Sequence, residues 1–400
     1  MQTQFTKQMK LVVACLAFVA LALGGSKCPG MNPHAMMELA QAGVPKYVHQ
    51  FEPATAESMG EWTKYTYDTD GGNGPLCIMG TPFTVFHQQR DPNKLVIFLN
   101  GGGACWQDFY NCSLTADENP PAESGIFADS FDDGGTTIDN PLADWSKLFV
   151  SYCDGSIFTG DNDVVDPDFQ AFIEQAAGLP PGSGPPIRFH RGLRNMTAAI
   201  DLARSLHPNA KQVFLSGSSA GGYGVAAFAP SVFRFDFPPA VQLRVFDDAG
   251  PAVTNPALVG DVLARANDWQ FEQFYPESCT DCDPFNQPAE FVKWTLENDN
   301  GYKASLYSTD GDATIRFFIG IPTQEEYRDL LLTVHDPINA AFPNRYKRFI
   351  RSGDDSHTSL RGDLFYTGEA NGVPLYQWTD DFVNGDAGWV DIVEDFVPIP

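Results

Sequence analysis

Residues 211–229 read KQVFLSGSSAGGYGVAAFA. The first half, KQVFLSG, is a short apolar run, which predicts a buried strand, and AGGYGVAAFA after it opens a helix. Between them lies Gly217-Ser218-Ser219-Ala220-Gly221, a G-x-S-x-G pentapeptide with Ser219 at its centre. A sharp strand-to-helix turn pushes one side chain out over the edge of a sheet, and glycines two before and two after remove the Cβ atoms that would collide there. Ser216 and Ser218 lack that glycine spacing, so Ser219 is the candidate nucleophile. A glycine-rich anion-binding loop is the competing reading of the pentapeptide taken alone.

The flanking sequence repeats the strand-then-helix alternation. KLVIFLN (94–100), KLFVSYC (147–153), VQLRVFDD (241–248), 303–308 and 345–351 are expected strands. Residues 191–206 place Leu193, Met196, Ile200 and Ala203 at helical spacing, and further helices are expected at 287–298 and 323–333. Such alternation predicts an α/β fold of the α/β-hydrolase type, with a mainly parallel central sheet and helices on both faces. Ligands then bind beyond the C-terminal strand ends. Residues 31–75, 113–142 and 160–187 read as irregular or loop.

Composition narrows the classes. The 400 residues carry a net charge of −26, which excludes a nucleic-acid partner, because phosphate binding needs a basic face. It also disfavours a polyanionic substrate. Lys7 and Lys10 precede the apolar run Leu11–Leu23, which ends in small residues, the pattern of a signal peptide over residues 1–25. At thirteen residues the run is short of the roughly 20 that a membrane span needs. Residues 26–400 are then one exported α/β-hydrolase-like domain with long loop insertions, secreted to an extracellular or periplasmic space. In that oxidising setting Cys105 with Cys112, and Cys279 with Cys282, read as local disulfides, leaving Cys28 as the odd thiol. A zinc site at CTDC (279–282) lacks a second ligand pair.

A serine nucleophile needs partners. Ala220 supplies one oxyanion donor, and the glycines of NGGGACW (100–106), following a strand, make Gly102 and Gly103 the others. The chain order Ser, acid, His leaves His335 and His357 as bases. His335 reads as a surface or capping residue after a helix, whereas His357 in SGDDSHTSL follows a late strand and is the candidate. For the acid, Asp310 and Asp312 compete with Asp247 and Asp248. Trp106, Phe109, Tyr110, Phe158 and Tyr223 flank the site, with Trp106 and Tyr223 as substrate-binding candidates. Asp161, Asn162, Asp163, Asp166 and Asp168 form an acidic group that could take calcium, without EF-hand spacing. Asn111 and Asn195 begin N-glycosylation sequons. No cofactor or catalytic metal is expected.

Several segments together resemble the pectin acetylesterase family, which also contains the lipid-removing carboxylesterase Notum: FLNGGGACWQDFYNC (98–112), DWSKLFVSYCDGSIFTGD (144–161), FHRGLRN (189–195), LSGSSAGGYG (215–224), DDAG (247–250) and GDDSH (353–357). The resemblance implies Ser219 as nucleophile, His357 as base and Gly102, Gly103 and Ala220 as oxyanion donors. It makes Asp312 the leading acid, with Asp310 as alternative, and turns Asp248 into a structural, substrate-side element. It also implies a Cys77–Cys153 disulfide. The function implied is a secreted serine esterase of short acyl groups, acetate foremost, on a carbohydrate. The alternatives are a Notum-like or lipase-like deacylase of longer chains and a catalytically silent carbohydrate-binding protein. The oligomeric state is open.

Overall fold

The computed structural model describes residues 30–68 and 72–399. The expected signal segment and Cys28 lie outside the described residues.

Ten strands, numbered here in chain order, build one twisted sheet: β1 Thr55–Met59, β2 Trp62–Tyr67, β3 Phe83–Gln88, β4 Asp91–Leu99, β5 Trp145–Val150, β6 Gln212–Ser218, β7 Gln242–Asp248, β8 Lys303–Thr309, β9 Tyr346–Arg351 and β10 Ile392–Val393. Their spatial order is β1-β2-β3-β5-β4-β6-β7-β8-β9-β10. From β5 across to β10 every pairing is parallel, while β1, β2 and β3 add an antiparallel edge that joins β5.

The central strands are apolar on both sides because both faces are covered. In β4, Leu95, Ile97 and Leu99 belong to the core cluster on one face, and Val96 and Phe98 to that on the other, as the two-residue period of a strand requires. The helix Gly192–Leu206 places Leu193, Met196 and Ile200, all fully buried, in the first cluster. Each such side chain stabilises the packing by roughly 1.5–3 kcal/mol. Tyr366, Leu375, Trp378 and Phe382 cover the opposite face.

Three disulfides are present among the described residues, Cys77–Cys153, Cys105–Cys112 and Cys279–Cys282. No described helix is long and apolar enough to cross a membrane.

Some expected loops are ordered elements. The stretch 31–75 holds the helix Pro33–Ala42 and the β1–β2 hairpin. Within 160–187, Asp166 caps a helix over Pro167–Ala177 by accepting from the amides of Asp168 and Phe169. The helix expected at 323–333 runs over Gln324–Ala341 and carries Pro337 inside it. His335 is therefore not a surface cap. It is buried, with Nε2 2.7 Å from the Pro251 carbonyl and Nδ1 2.7 Å from the Tyr346 hydroxyl. Burial lowers its pKa to about 4, which keeps the ring neutral.

Candidate active site

The strand β6 ends at Ser218 and the helix Ala220–Ala226 begins one residue later. Ser219 alone makes the turn, at φ 57° and ψ −117°. An L-residue holds such a conformation only where its surroundings fix it. Here the Ser219 amide donates to the Asp248 carbonyl at 2.8 Å, and the Ser219 carbonyl accepts from the Tyr223 amide at 3.0 Å. A Cβ on Gly217 would lie 2.3 Å from the Gly221 carbonyl oxygen, and one on Gly221 1.9 Å from the Leu99 carbonyl oxygen. Both glycines of the pentapeptide are thus sterically required, and Ser219 is left partly accessible above them.

The late strands bring a second constellation to the same sheet edge. The Asp312 side chain divides its two oxygens: Oδ1 accepts from the Ile315 amide at 2.9 Å, capping the helix Ala313–Phe318, and Oδ2 lies 2.7 Å from His357 Nδ1. Nδ1–H donating to the carboxylate leaves Nε2 as the basic nitrogen, and Nε2 has no hydrogen-bond partner among the described residues. The His357 loop is seated by Thr309, whose hydroxyl donates to the Ser356 carbonyl at 2.6 Å. Asp310 is directed elsewhere. Its carboxylate accepts from Arg328 and Ser352 at 2.6 Å each and from Gln324 at 2.7 Å. Of the two late aspartates, Asp312 is the one that meets the imidazole.

Asp248, expected on the substrate side, is fully buried beneath the elbow and does not line the cavity beside Ser219. Oδ1 accepts from the Ser359 amide at 2.8 Å and its hydroxyl at 2.7 Å, and Oδ2 from the Ser218 hydroxyl and the Leu360 amide. Burial raises its pKa, and those four donors oppose the rise. One carboxylate therefore ties the residue before Ser219 to the residues just after His357. Neighbouring Asp247 accepts from the Gly250 amide at 2.8 Å.

Two concavities meet at the glycine loop that follows β4. A cavity beside Ser219 is walled by Gly103, Trp106, Ala220, Tyr223, Trp269 and Phe318, with Ala227, Phe228, Tyr275 and Phe291 also in its lining. A shallower groove on the other side is bordered by Gly102, Gly103, Asn111, Ser113, Phe317 and Phe318. Gly103 borders both and has φ +76°; a Cβ there would lie 2.1 Å from the Asn111 carbonyl oxygen. The hairpin that carries it, Gly103–Trp106 with Phe109–Cys112, is closed by the Cys105–Cys112 disulfide.

The candidate substrate-binding aromatics have distinct placements. Trp106 stacks on Phe109 with centroids 4.2 Å apart and forms cavity wall. Tyr223 presents its ring to the cavity while its hydroxyl donates to the Val253 carbonyl at 2.9 Å. Tyr110 donates to Asp166, and Phe158 is buried against Tyr152. A residue that sequence reasoning missed is Arg265. It lines the cavity, donates to the Thr254 hydroxyl at 2.9 Å and lies over the Trp106 ring. It sits on a helix, Val259–Trp269, that no motif flagged.

The proposed calcium group resolves into ion pairs. Asp161 is held by Lys46, Tyr47 and Arg194, Asp163 by Arg191, and Asp166 by Arg188. The Asn195 sequon is likewise not open to modification, since its buried side chain bridges the Leu76 amide and carbonyl. Asn111 is exposed.

A family model for pectinacetylesterase matches residues 65–276. That stretch holds the glycine loop, the elbow and the Asp248 anchor, and ends before Asp312 and His357. Among curated proteins, the chain is 29% identical over 197 residues to pectin acetylesterase 11 of Arabidopsis thaliana, covering 47% of this chain and 45% of that protein. It is 28% identical over 197 residues to pectin acetylesterase 7 of the same plant, with the same coverage. The chain thus spans about half the length of the curated relatives it matches. Among solved structures, the Wnt deacylase Notum from Drosophila superposes with a TM-score of 0.56 at 16% identity, over 81% of this chain and 94% of that one. The likeness shows the fold, a Notum-like α/β hydrolase with a large mixed sheet and parallel central strands.

Proposed function

The chain belongs to the pectinacetylesterase family, and from that premise we propose that it is a secreted serine esterase that removes short acyl groups, acetate foremost, from a carbohydrate. One observation carries the reading: an elbow serine shares a sheet edge with an imidazole whose Nδ1 is held by Asp312 and whose Nε2 is unpartnered.

In the proposed reaction the Ser219 hydroxyl attacks the ester carbonyl and gives its proton to His357 Nε2. The oxyanion accepts hydrogen bonds from the amides of Gly102, Gly103 and Ala220, each worth roughly 3–4 kcal/mol in the transition state. Collapse of the tetrahedral intermediate breaks the ester C–O bond, and the imidazolium returns the proton to the departing alcohol. Water then attacks the acyl-enzyme with His357 as base, releasing the acid and restoring Ser219. The two concavities suit the two halves of an ester, the cavity for the acyl group and the open groove for a bulky alcohol.

Export is supported by the three disulfides, which persist in oxidising compartments. A deacylase of longer chains is the second reading. It is favoured by the largely apolar lining of the cavity beside Ser219, which includes Phe228, Tyr275 and Phe291 and offers more wall than acetate covers.

Hydrolysis of 4-nitrophenyl acetate, butyrate and octanoate, with and without Ser219→Ala, tests both. Turnover lost in the variant and falling with chain length supports the acetylesterase. Turnover rising with length supports the second reading, and absence of Ser219-dependent turnover on every ester rejects both. Acetate release from acetylated pectin, xylan and chitin fragments identifies the carbohydrate.

A further inference from the structure

Several buried aspartates in this fold meet a cation: Asp161, Asp166, Asp268, Asp299 and Asp310 each lie 2.9 Å or less from an arginine or lysine nitrogen. Two others, packed against each other, do not. Asp201, in the middle of the helix Gly192–Leu206, and Asp236, the last residue of the helix Ala229–Asp236, face each other where those helices pack. Their side chains are 7% and 0% exposed. Asp201 Oδ2 accepts from the His49 amide at 2.6 Å, but Asp201 Oδ1 and both oxygens of Asp236 have no hydrogen-bond partner among the described residues.

Bare carboxylate oxygens out of water cost several kcal/mol unless something positive meets them. A negative charge at the C-terminus of a helix adds to that cost, because the helix dipole is unfavourable there. The charge of Arg204 reaches Asp236, but its guanidinium is directed to the Pro208 carbonyl and lies over the Phe237 ring. What does face the pair is the His49 imidazole, with Nε2 3.3 Å from Asp236 Oδ1 and Nδ1 3.7 Å from Asp201 Oδ1. One ligand atom from each of the three residues falls within 4.8 Å of the other two, close enough for one ion to be shared after small side-chain adjustments. The His49 ring is 67% exposed, so the group has an entry from solvent.

We infer that His49, Asp201 and Asp236 form a binding site for a divalent first-row transition metal, Zn²⁺ or Mn²⁺, separate from the esterase centre. One imidazole nitrogen with two carboxylates suits these ions, whereas Ca²⁺ takes all-oxygen shells and Mg²⁺ holds its waters. Three protein ligands leave further positions for water. The ion would pin the turn after the helix Pro33–Ala42 to two core helices and neutralise the carboxylate pair. The site shares no residue with Ser219, His357 or Asp312, so the inference does not depend on the proposed reaction.

The test uses tag-free mature protein, stripped with EDTA, in 150 mM NaCl, titrated calorimetrically with ZnCl₂, MnCl₂ and CaCl₂ separately, with thermal unfolding followed in parallel. One equivalent of Zn²⁺ or Mn²⁺ is expected to bind and raise the unfolding midpoint. His49→Ala, a change at an exposed side chain that leaves the core intact, and Asp236→Asn are each expected to weaken binding at least tenfold. Metal-free Asp236→Asn should match or exceed the wild type in stability, because a buried charge has gone. No stoichiometric uptake, uptake of Ca²⁺ alone, or unchanged affinity in both variants would overturn the assignment.

Discussion

Asp312 Oδ2 lies 2.7 Å from His357 Nδ1, while the other oxygen of the same carboxylate caps a helix through the Ile315 amide. The cap fixes the carboxylate and the carboxylate fixes the ring, so the imidazole is oriented before any substrate arrives. Asp312→Asn can still cap, but it turns a hydrogen-bond donor toward Nδ1 and favours the wrong tautomer. The expected loss in kcat on 4-nitrophenyl acetate is about 10⁴-fold with KM little changed, the figure set by the equivalent change in a serine protease triad.

Asp310→Asn is the matched control. It strips Arg328 of a buried partner, which costs about 3–5 kcal/mol of stability where such a pair is broken. The kcat of the folded fraction should stay within a few-fold of wild type. A large drop in kcat for this variant, with Asp312→Asn near normal, would reverse the assignment of the acid.

Asp248 predicts a different signature. Asn at 248 can accept at one oxygen only, so at least two of the donors from Ser218, Ser359 and Leu360 lose their acceptor. Each buried donor left unsatisfied costs about 1–3 kcal/mol. The variant should therefore unfold at lower urea concentration and also lose kcat, because Ser219 and His357 are then free to drift apart. Equal activity per folded molecule would mean that the anchor serves stability alone.

How far the site was legible depended on the range of the forces. The elbow was readable because its constraint is local: Gly217 and Gly221 are required by contacts made within the turn and to the adjacent strand. Chain order leaves His335 and His357, and the position of His357 just after a late strand selects it. Choosing between Asp310 and Asp312 needed coordinates, since the two share one turn and only the direction of the side chain separates them. The Asp248 anchor was out of reach because its partners lie 111 and 112 residues away. The strand β1 escaped notice because four of its five residues are exposed and give no apolar alternation. The late helix runs to Ala341, eight residues past the expected end at 333, and carries Pro337 within it.

Substitution in the glycine loop, proposed to donate to the oxyanion, separates backbone strain from collision. At Gly103 an added Cβ meets the Asn111 carbonyl at 2.1 Å in a left-handed backbone, so Gly103→Ala must displace the loop. Loss of one well-aimed donor predicts a fall in kcat of about 10²–10³-fold. Gly134 also has positive φ, +89°, but nothing lies within 4 Å of its Cβ position. Gly134→Ala should cost only the left-handed strain, about 1–2 kcal/mol, with normal kinetics.

Asp154 gives the pH test. It is fully buried beside the elbow-side loop, and burial raises its pKa to about 6 against donors from Ser156 and Phe158. A raised carboxyl pKa means the native state holds the proton more tightly than the unfolded chain does. The stabilisation is fully present below the unfolded value near 4 and is lost as pH rises through 6. Asp154→Asn cannot titrate, so the stability difference, wild type minus variant, should fall by roughly 3 kcal/mol between pH 4 and 7. Urea midpoints at a series of pH values measure it, and a difference that is flat or rises with pH contradicts the burial argument.

The cavity beside Ser219, proposed to take the acyl group, sets the last prediction. Ala227 is half-buried and lines the same cavity as Ser219, Phe228 and Phe291. A phenyl ring at 227 would take up part of that cavity. If acyl chains enter this cavity, Ala227→Phe shortens the chain that fits: octanoate ester turnover should fall at least tenfold, while acetate ester turnover stays within about threefold, since each buried methylene is worth about 0.8 kcal/mol. Parallel loss on both esters would point to disturbed packing, and thermal unfolding of the variant would register it. Unchanged octanoate turnover in a folded variant would place the acyl chain elsewhere, with the open groove by Phe317 as the remaining path.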